Sequence, residues 1–230
     1  MNPKITVAIP VGPEAHHQEW FRECLESVRL QTYAADEILI ISDMAKLDSD
    51  LMEEFDVTVW KSPWRLGIAA AMNFGVALAK NELVFMLCAD DTLNSQCLAF
   101  CARTYGKMPE ETRGNAYYFV GVKYLDGREE DEQFIPCGAA MVTKSLWKQC
   151  GGFPPESSSG APDAALISIM MVHQAAGECI GVGRGRSLYN YRPHANSDSA
   201  KRQPWQGVIL NTRDIVTRNW KPPEWGRYEV

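Results

Sequence analysis

Leu83-Val84-Phe85-Met86-Leu87-Cys88-Ala89-Asp90-Asp91 is an apolar run that ends in two adjacent carboxylates. The six apolar residues before Ala89 predict a buried strand over 83–88. Adjacent acids at the end of such a strand repel each other and lose hydration, so they need a partner. One such partner is a divalent cation, held by oxygen ligands and bridging to a diphosphate. The other is a helix, because Asp90-Asp91-Thr92 ahead of a helical pattern caps its amides well.

The sequence around this run alternates in the same way. Ile5-Thr6-Val7-Ala8-Ile9 is β-branched and stops at Pro10. Phe21, Leu25 and Val28 recur at helical spacing and predict a helix over 20–31. Glu37-Ile38-Leu39-Ile40-Ile41 predicts a second strand that runs out at Ser42-Asp43. A short helix over 51–55, a third strand over 57–60 and an Ala-rich helix over 67–80 follow. A further helix is expected over 95–105, after the acids. Strand–helix alternation of this kind implies right-handed βαβ units and an α/β fold with a mostly parallel sheet. Ligands bind beyond the carboxyl ends of such strands. Pro10, Asp43 and Asp90-Asp91 are therefore expected to be neighbours in space.

The second half reads differently. A strand is expected over 117–125, then a turn at Asp126-Gly127, with 132–136 returning beside it. A brief helix over 145–150 closes at Gly151-Gly152. The Ser- and Gly-rich stretch 157–162 predicts a loop, and Asp163 caps a helix to about 176. A late strand over 188–192 precedes a polar loop around His194, and a last helix is expected over 205–220. Gly181, Gly183 and Gly185 alternate with other residues and predict a glycine-eased strand or turn. They lack the spacing and following helix of a dinucleotide fingerprint. No linker divides the chain, so one domain over 1–230 is expected.

The 230 residues suffice for a sizeable core, and 46% hydrophobic with 23% charged residues excludes a disordered chain. A net charge of −6 argues against a surface that binds polyanions throughout. The charge is uneven: residues 184–230 hold nine Lys and Arg against four acids, +5, which leaves −11 upstream. Seven cysteines without a CxxC pair point to reduced thiols rather than zinc or disulfides. No apolar stretch approaches the ~18 residues of a membrane span, and no leader precedes Ile5. A cytoplasmic location is expected.

Several stretches, in order and spacing, resemble the family 2 glycosyltransferases of the GT-A fold. They are Ile5 to Val11 with its proline, Cys24-Leu25-Glu26-Ser27-Val28 with Gln31-Thr32-Tyr33, and Gly67 to Gly75 with Asn73. They continue with the acidic run 83–91, Gly151-Gly152-Phe153, and Tyr191-Arg192-Pro193-His194-Ala195-Asn196-Ser197. The resemblance implies a Rossmann-like, mostly parallel central sheet flanked by helices, with a smaller mixed second half. It implies a nucleotide-sugar half over 1–110 and an acceptor half over 111–230 that ends in the basic tail.

The resemblance also assigns roles. Asp90 and Asp91, with His194, would hold Mn2+ or Mg2+ against a diphosphate. Pro10, Val11, Asp43, Arg65 and Asp90 would bind the nucleotide sugar, with Asp43 accepting from a base N–H as for uracil. Asp163 would take the acceptor proton in an inverting transfer. Four departures stand out: Cys88 replaces a further Asp, Met44-Ala45 replace Gly-Ser, Met72 replaces an Arg, and Pro162 replaces a Glu. The expected donor is a UDP-sugar, and the expected acceptor a saccharide or lipid-linked sugar. A hydroxymethylated nucleic-acid base is the alternative acceptor, suited to the basic tail, and a non-catalytic binding protein is the alternative function, suited to the departures. Plainer structural roles remain open for each residue: turn aspartate for Asp43, surface cation for Arg65, helix cap for Asp163, solvated loop residue for His194. His16 and His17, in the loop after the first strand, stand where a nucleotide contact is possible.

Overall fold

A computed structural model describes residues 2–128, 138–153, 180–182 and 186–196; of 180–182 only the backbone is described. β1 (Ile5–Val11) is buried along its whole length and lies inside the sheet. It pairs in parallel with β2 (Glu37–Asp43) and β4 (Leu83–Met86), and β3 (Thr58–Ser62) pairs in parallel with β2. β8 (Ala140–Thr143) then joins β4 antiparallel, β6 (Ala116–Phe119) joins β8 antiparallel, and β9 (Ile180–Val182) runs parallel to β6. The order is β3-β2-β1-β4-β8-β6-β9. A second sheet of three strands sets β10 (Ser187–Tyr191) between β5 (Thr92–Leu93) and β7 (Gly121–Tyr124).

Both faces of the large sheet are covered, which is why its strands read as continuous apolar runs. Ile5, Val7, Ile9 and Phe85 face one cluster, with Phe21, Leu25 and Val28 of α2 (Phe21–Arg29) and Cys97, Leu98 and Cys101 of α5 (Cys97–Lys107). Ala8, Ile41, Val84 and Met86 face the other, with Ala71, Met72 and Val76 of α4 (Ile68–Leu78) and Leu146 and Trp147 of α7 (Lys144–Cys150). The small Ala8 and Gly75 let α4 sit close: a Cβ on Gly75 would stand 3.1 Å from the Ala8 Cβ.

Two of the motifs prove to be structural. Asn73 of α4 is buried; its Oδ1 accepts from Trp147 Nε1 (3.1 Å) and Phe153 N (2.9 Å), and its Nδ2 donates to Phe153 O (3.1 Å). Gly151 ends α7 in the left-handed region (φ 75°), and Gly152 (φ 69°) has no room for a side chain beside Asn73 and Trp147. The Asn73 and Gly151-Gly152-Phe153 motifs thus bolt α4 to α7. Asn73→Ala strands three buried polar groups, each worth about 1–3 kcal/mol. The expected loss is about 3 kcal/mol or more, read as a Tm fall of about 6–12 °C in thermal unfolding.

Several expectations are corrected. The stretch 117–125 is not one strand: Val120 N donates to Ala139 O and Gly121 N to Arg186 O, so the chain changes sheets there. The antiparallel insertion of β8 is not visible in the four residues that form it. The strand after residue 82 ends at Met86 rather than at Cys88. Asp90-Asp91 cap no helix, because Thr92–Leu93 is strand and Asn94 Oδ1 accepts from Gln96 N ahead of α5. Two short helices, α1 (Ala15–Glu19) and α6 (Glu110–Arg113), were not expected. α3 (Ser49–Glu54) stands near the expected 51–55, capped by Asp48. The return strand 132–136, the loop 157–162 and the helices at 163–176 and 205–220 lie outside the described residues.

Candidate active site

The carboxyl ends of β1, β2 and β4 lie side by side, with Pro10 against Ile41 and Val11 against Ser42. Pro10 and Val11 are buried within β1. Asp43, the last residue of β2, is buried, and its Oδ1 accepts from Leu66 N (2.6 Å) while its Oδ2 accepts from Gly67 N (2.9 Å). Arg65 Nη1 lies 3.3 Å from Asp43 Oδ2, and Arg65 Nη2 lies 2.5 Å from Glu14 Oε1. Asp43 therefore organises the 62–67 loop rather than sitting in a solvated turn. Arg65 bridges two loops and is not a bare surface cation. Met44 and Trp64 stand exposed on either side. Met72, which departs from the family pattern, packs in the core.

The chain turns after β4, with Asp91 N donating to Cys88 O (3.2 Å). Asp91 points inward: its Oδ2 accepts from Tyr189 Oη (2.6 Å) and its Oδ1 from Arg192 N (2.7 Å). Burial, then the Asp90 charge, push the Asp91 carboxyl well above the usual carboxylate range, while the Tyr189 and Arg192 bonds pull it back. Burial and then Asp91 likewise raise the Tyr189 phenol. Tyr189 Oη also accepts from Cys88 N (3.3 Å), and a side chain on Gly138 would collide with that hydroxyl and the Cys88 amide. Tyr189→Phe removes the partner of a buried carboxylate oxygen and is expected to cost about 1–3 kcal/mol, checked by chemical denaturation.

Asp90 points the other way, toward the rim. Its Oδ2 lies 3.0 Å from His194 Nε2, and its main-chain carbonyl accepts from Arg192 Nε (3.0 Å). Arg192 also pairs with Glu23 (2.6 Å) and lies over the Trp20 ring at 5.1 Å. The His194 ring packs 4.9 Å from Trp20 and 4.8 Å from His16. His17 Nδ1 accepts from Gly12 N (3.1 Å). One ligand atom each from His16, His17 and Asp90 lie within 4.8 Å of one another, as do those of Cys88, Asp90 and Asp91. Burial, then the His17 and His194 rings, push the His16 imidazole below its ordinary value, which favours the neutral ring.

The structure therefore brings Asp90, Asp91 and His194 together and sets Asp43 and Arg65 on the neighbouring loops. Asp163 lies outside the described residues. Tyr189, Arg192 and the two early histidines carry more of the site than the sequence assigned them. The adjacent pair His16-His17 just past a strand's carboxyl end, and Arg192 inside the late motif, were the readable signals. Tyr189 gave none, since it reads as one more buried strand residue.

A family model described as glycosyl transferase family 2 matches residues 6–132. No curated protein matches the sequence significantly. S. aureus TarS 1-349 in complex with UDP-GlcNAc superposes with a TM-score of 0.71 at 14% identity, over 98% of this chain and 69% of that one. A further S. aureus TarS structure gives 0.68 at 13% identity, over 98% and 41%. The mannosyltransferase PcManGT from Pyrobaculum calidifontis in complex with GDP-Man and Mn2+ gives 0.70 at 17% identity, over 97% and 66%. At such identities the likeness is one of fold.

Proposed function

Because the chain belongs to glycosyl transferase family 2 and has the GT-A fold, we propose that it moves a sugar from a nucleotide diphosphate sugar to an acceptor hydroxyl, with inversion. The observation that carries this reading is the 3.0 Å contact of His194 Nε2 with Asp90 Oδ2 on the loop beyond β4, where ligands of parallel sheets bind. A carboxylate oxygen and an imidazole nitrogen at this spacing suit a divalent cation, Mn2+ or Mg2+. Such an ion supplies neutralisation of the charge that develops on the departing diphosphate.

Asp90 and His194 hold the ion. Asp91, with one hydrogen bond on each oxygen, fixes the loop and the late strand from behind. Asp43 Oδ1 keeps acceptor capacity for a base N–H such as that of uracil. Pro10 and Val11 bound the base site through their backbone, and Arg65 offers a cation to the donor phosphates. Asp163 takes the proton from the acceptor hydroxyl as its oxygen attacks the anomeric carbon and the bond to the diphosphate breaks. Residues 1–110 hold the donor and 111–230 the acceptor, a saccharide or lipid-linked sugar. The +5 tail favours a modified nucleic-acid base as the second acceptor reading; DNA binding that weakens as salt rises would identify it.

The location is cytoplasmic in this reading. Seven cysteines without a CxxC pair are the ground for a reducing compartment. No helix among the described residues is long and apolar enough to cross a membrane.

The test is thermal unfolding with UDP, GDP, dTDP and CDP, each with Mn2+. A ligand at about 100 times its Kd adds about 2.7 kcal/mol, a rise of about 5–10 °C for a chain of this size. UDP is expected to give the largest rise. No rise with any of the four would remove the donor site.

A further inference from the structure

α5 buries one face, with Cys97, Leu98, Cys101 and Ala102 in the core. Phe100, Arg103, Thr104 and Lys107 recur at i, i+3, i+4 and i+7 and form a stripe on another face. With Arg186, which precedes β10, this stripe lines an open pocket of about 310 Å3, a volume found for small-molecule sites. The pocket lies apart from the proposed donor site. Arg192 N meets Asp91 just past one end of β10, and Arg186 stands at the other. Five residues of strand span ~17 Å.

Arg103, Lys107 and Arg186 give this pocket three cations, and no carboxylate lines it. Arg103 and Lys107 stand at i, i+4, where like charges weaken a helix. A place in the last turn of α5 accounts for Lys107, because cations suit a helix C-terminus. It does not account for Arg186, which arrives from another element and is fixed by its carbonyl, the acceptor of Gly121 N (2.8 Å). The other described arginines are spoken for. Arg22 and Arg29 pair with Glu54, Arg65 with Glu14, Arg128 with Asp126 and Arg192 with Glu23, while Arg113 donates to the Met108 carbonyl. Among the described residues, only Arg103 and Arg186 of the arginines lack such a partner, and both line the same pocket. Guanidinium groups repel, so two of them beside an ammonium suit an anion that bridges them. Phe100 is half-buried against the core and gives the pocket an apolar wall.

We propose that this pocket is a second ligand site, which takes an organic phosphate: its phosphate on Arg103, Lys107 and Arg186, its planar or apolar group on Phe100. A phosphomonoester carries about −1.5 to −2 at pH 7 and offsets most of the charge of the three cations. The planar fork of each arginine bonds two phosphate oxygens at once, and Lys107 adds a point charge. Thr104 adds a hydroxyl donor. Inorganic phosphate meets the same cations and leaves Phe100 uncovered, so the ester binds more tightly. The site goes beyond the glycosyltransferase reading and does not depend on it.

The test is calorimetric titration of the full chain with phenyl phosphate and with inorganic phosphate, at low salt and without metal or nucleotide. Phenyl phosphate is expected to bind at one site, about threefold or more tighter than inorganic phosphate. Arg103→Gln and Arg186→Gln should each weaken it by about tenfold or more. Both side chains are exposed, so Tm should stay within about 2 °C of wild type. Phe100→Leu should narrow the gap between the two probes and leave inorganic phosphate unchanged. The rise in Tm with UDP and Mn2+ should be the same in both arginine variants as in wild type. No binding of phenyl phosphate, equal affinity in both arginine variants, or loss of the UDP response in them would overturn the proposal. So would salt-sensitive binding of duplex DNA through these arginines with no binding of phenyl phosphate, which would make this face a polyanion surface. If phenyl phosphate binds as expected while no nucleoside diphosphate raises Tm, the pocket stands and the transferase reading falls.

Discussion

Asp90→Asn is expected to lower kcat for sugar transfer by about 10²–10³-fold. The substitution keeps the size of the side chain and removes its charge. Among the described residues that charge lies 3.0 Å from the His194 ring, and the Asp90 side chain is only partly buried. An amide in its place still bonds to the imidazole, so the loop keeps its shape. It no longer balances a divalent ion, and a leaving diphosphate develops charge with less to offset it. The loss therefore falls on kcat and on metal affinity together. Stability changes little, because the bonds that hold the turn come from Asp91, Tyr189 and the Asp90 main chain. Steady-state rates over a metal titration, with thermal unfolding beside them, check this. A wild-type rate at saturating metal would remove Asp90 from the reaction.

The opposite pattern is expected of Asp91, and the reason shows where sequence reading stops. The two acids are adjacent and chemically alike, so the sequence treats them as a pair. They are set apart by the late strand: Tyr189 of β10 and Arg192 just after it arrive 98 and 101 residues later and take Asp91 into the core. No local pattern encodes a contact of that range. The same limit explains the break at Val120, where a continuous apolar stretch changes sheets because Ala139 and Arg186 stand on either side of it. It also explains β8, a four-residue strand that only its antiparallel neighbours define. The parallel half of the fold was legible for a converse reason. β1, β2 and β4 are buried on both faces, so composition alone marks them; α2 carries its packing in the i, i+3, i+4 pattern, and α4 is apolar nearly all round. Two motif residues, Asn73 and Gly152, were legible as parts of a family pattern but not as what they are. Their contacts with Trp147 and Phe153 make them joints of the scaffold.

Asp163→Asn is expected to lower transfer by about 10²–10⁴-fold while the Kd for UDP stays at its wild-type value. A general base acts on the acceptor oxygen, and Asp43, Arg65 and Asp90, proposed for the nucleotide, all lie between β1 and β5 in the chain. Removing the base should therefore separate the two halves of the reaction: donor binding intact, proton acceptance lost. The carboxamide cannot take a proton, so the acceptor hydroxyl must attack unassisted. A cap role for Asp163 predicts another result, since Asn caps a helix about as well as Asp. An Asn variant with full activity would make Asp163 a cap alone. Equal, background-level donor turnover in wild type and variant, with Mn2+ present, would instead mark a chain that binds nucleotide sugars and does not transfer them. A pH profile completes the distinction. The wild-type rate should fall on the acid side as the base protonates, and the variant's residual rate should lack that limb. Single-turnover transfer and UDP titration on the same preparations read all of these outcomes.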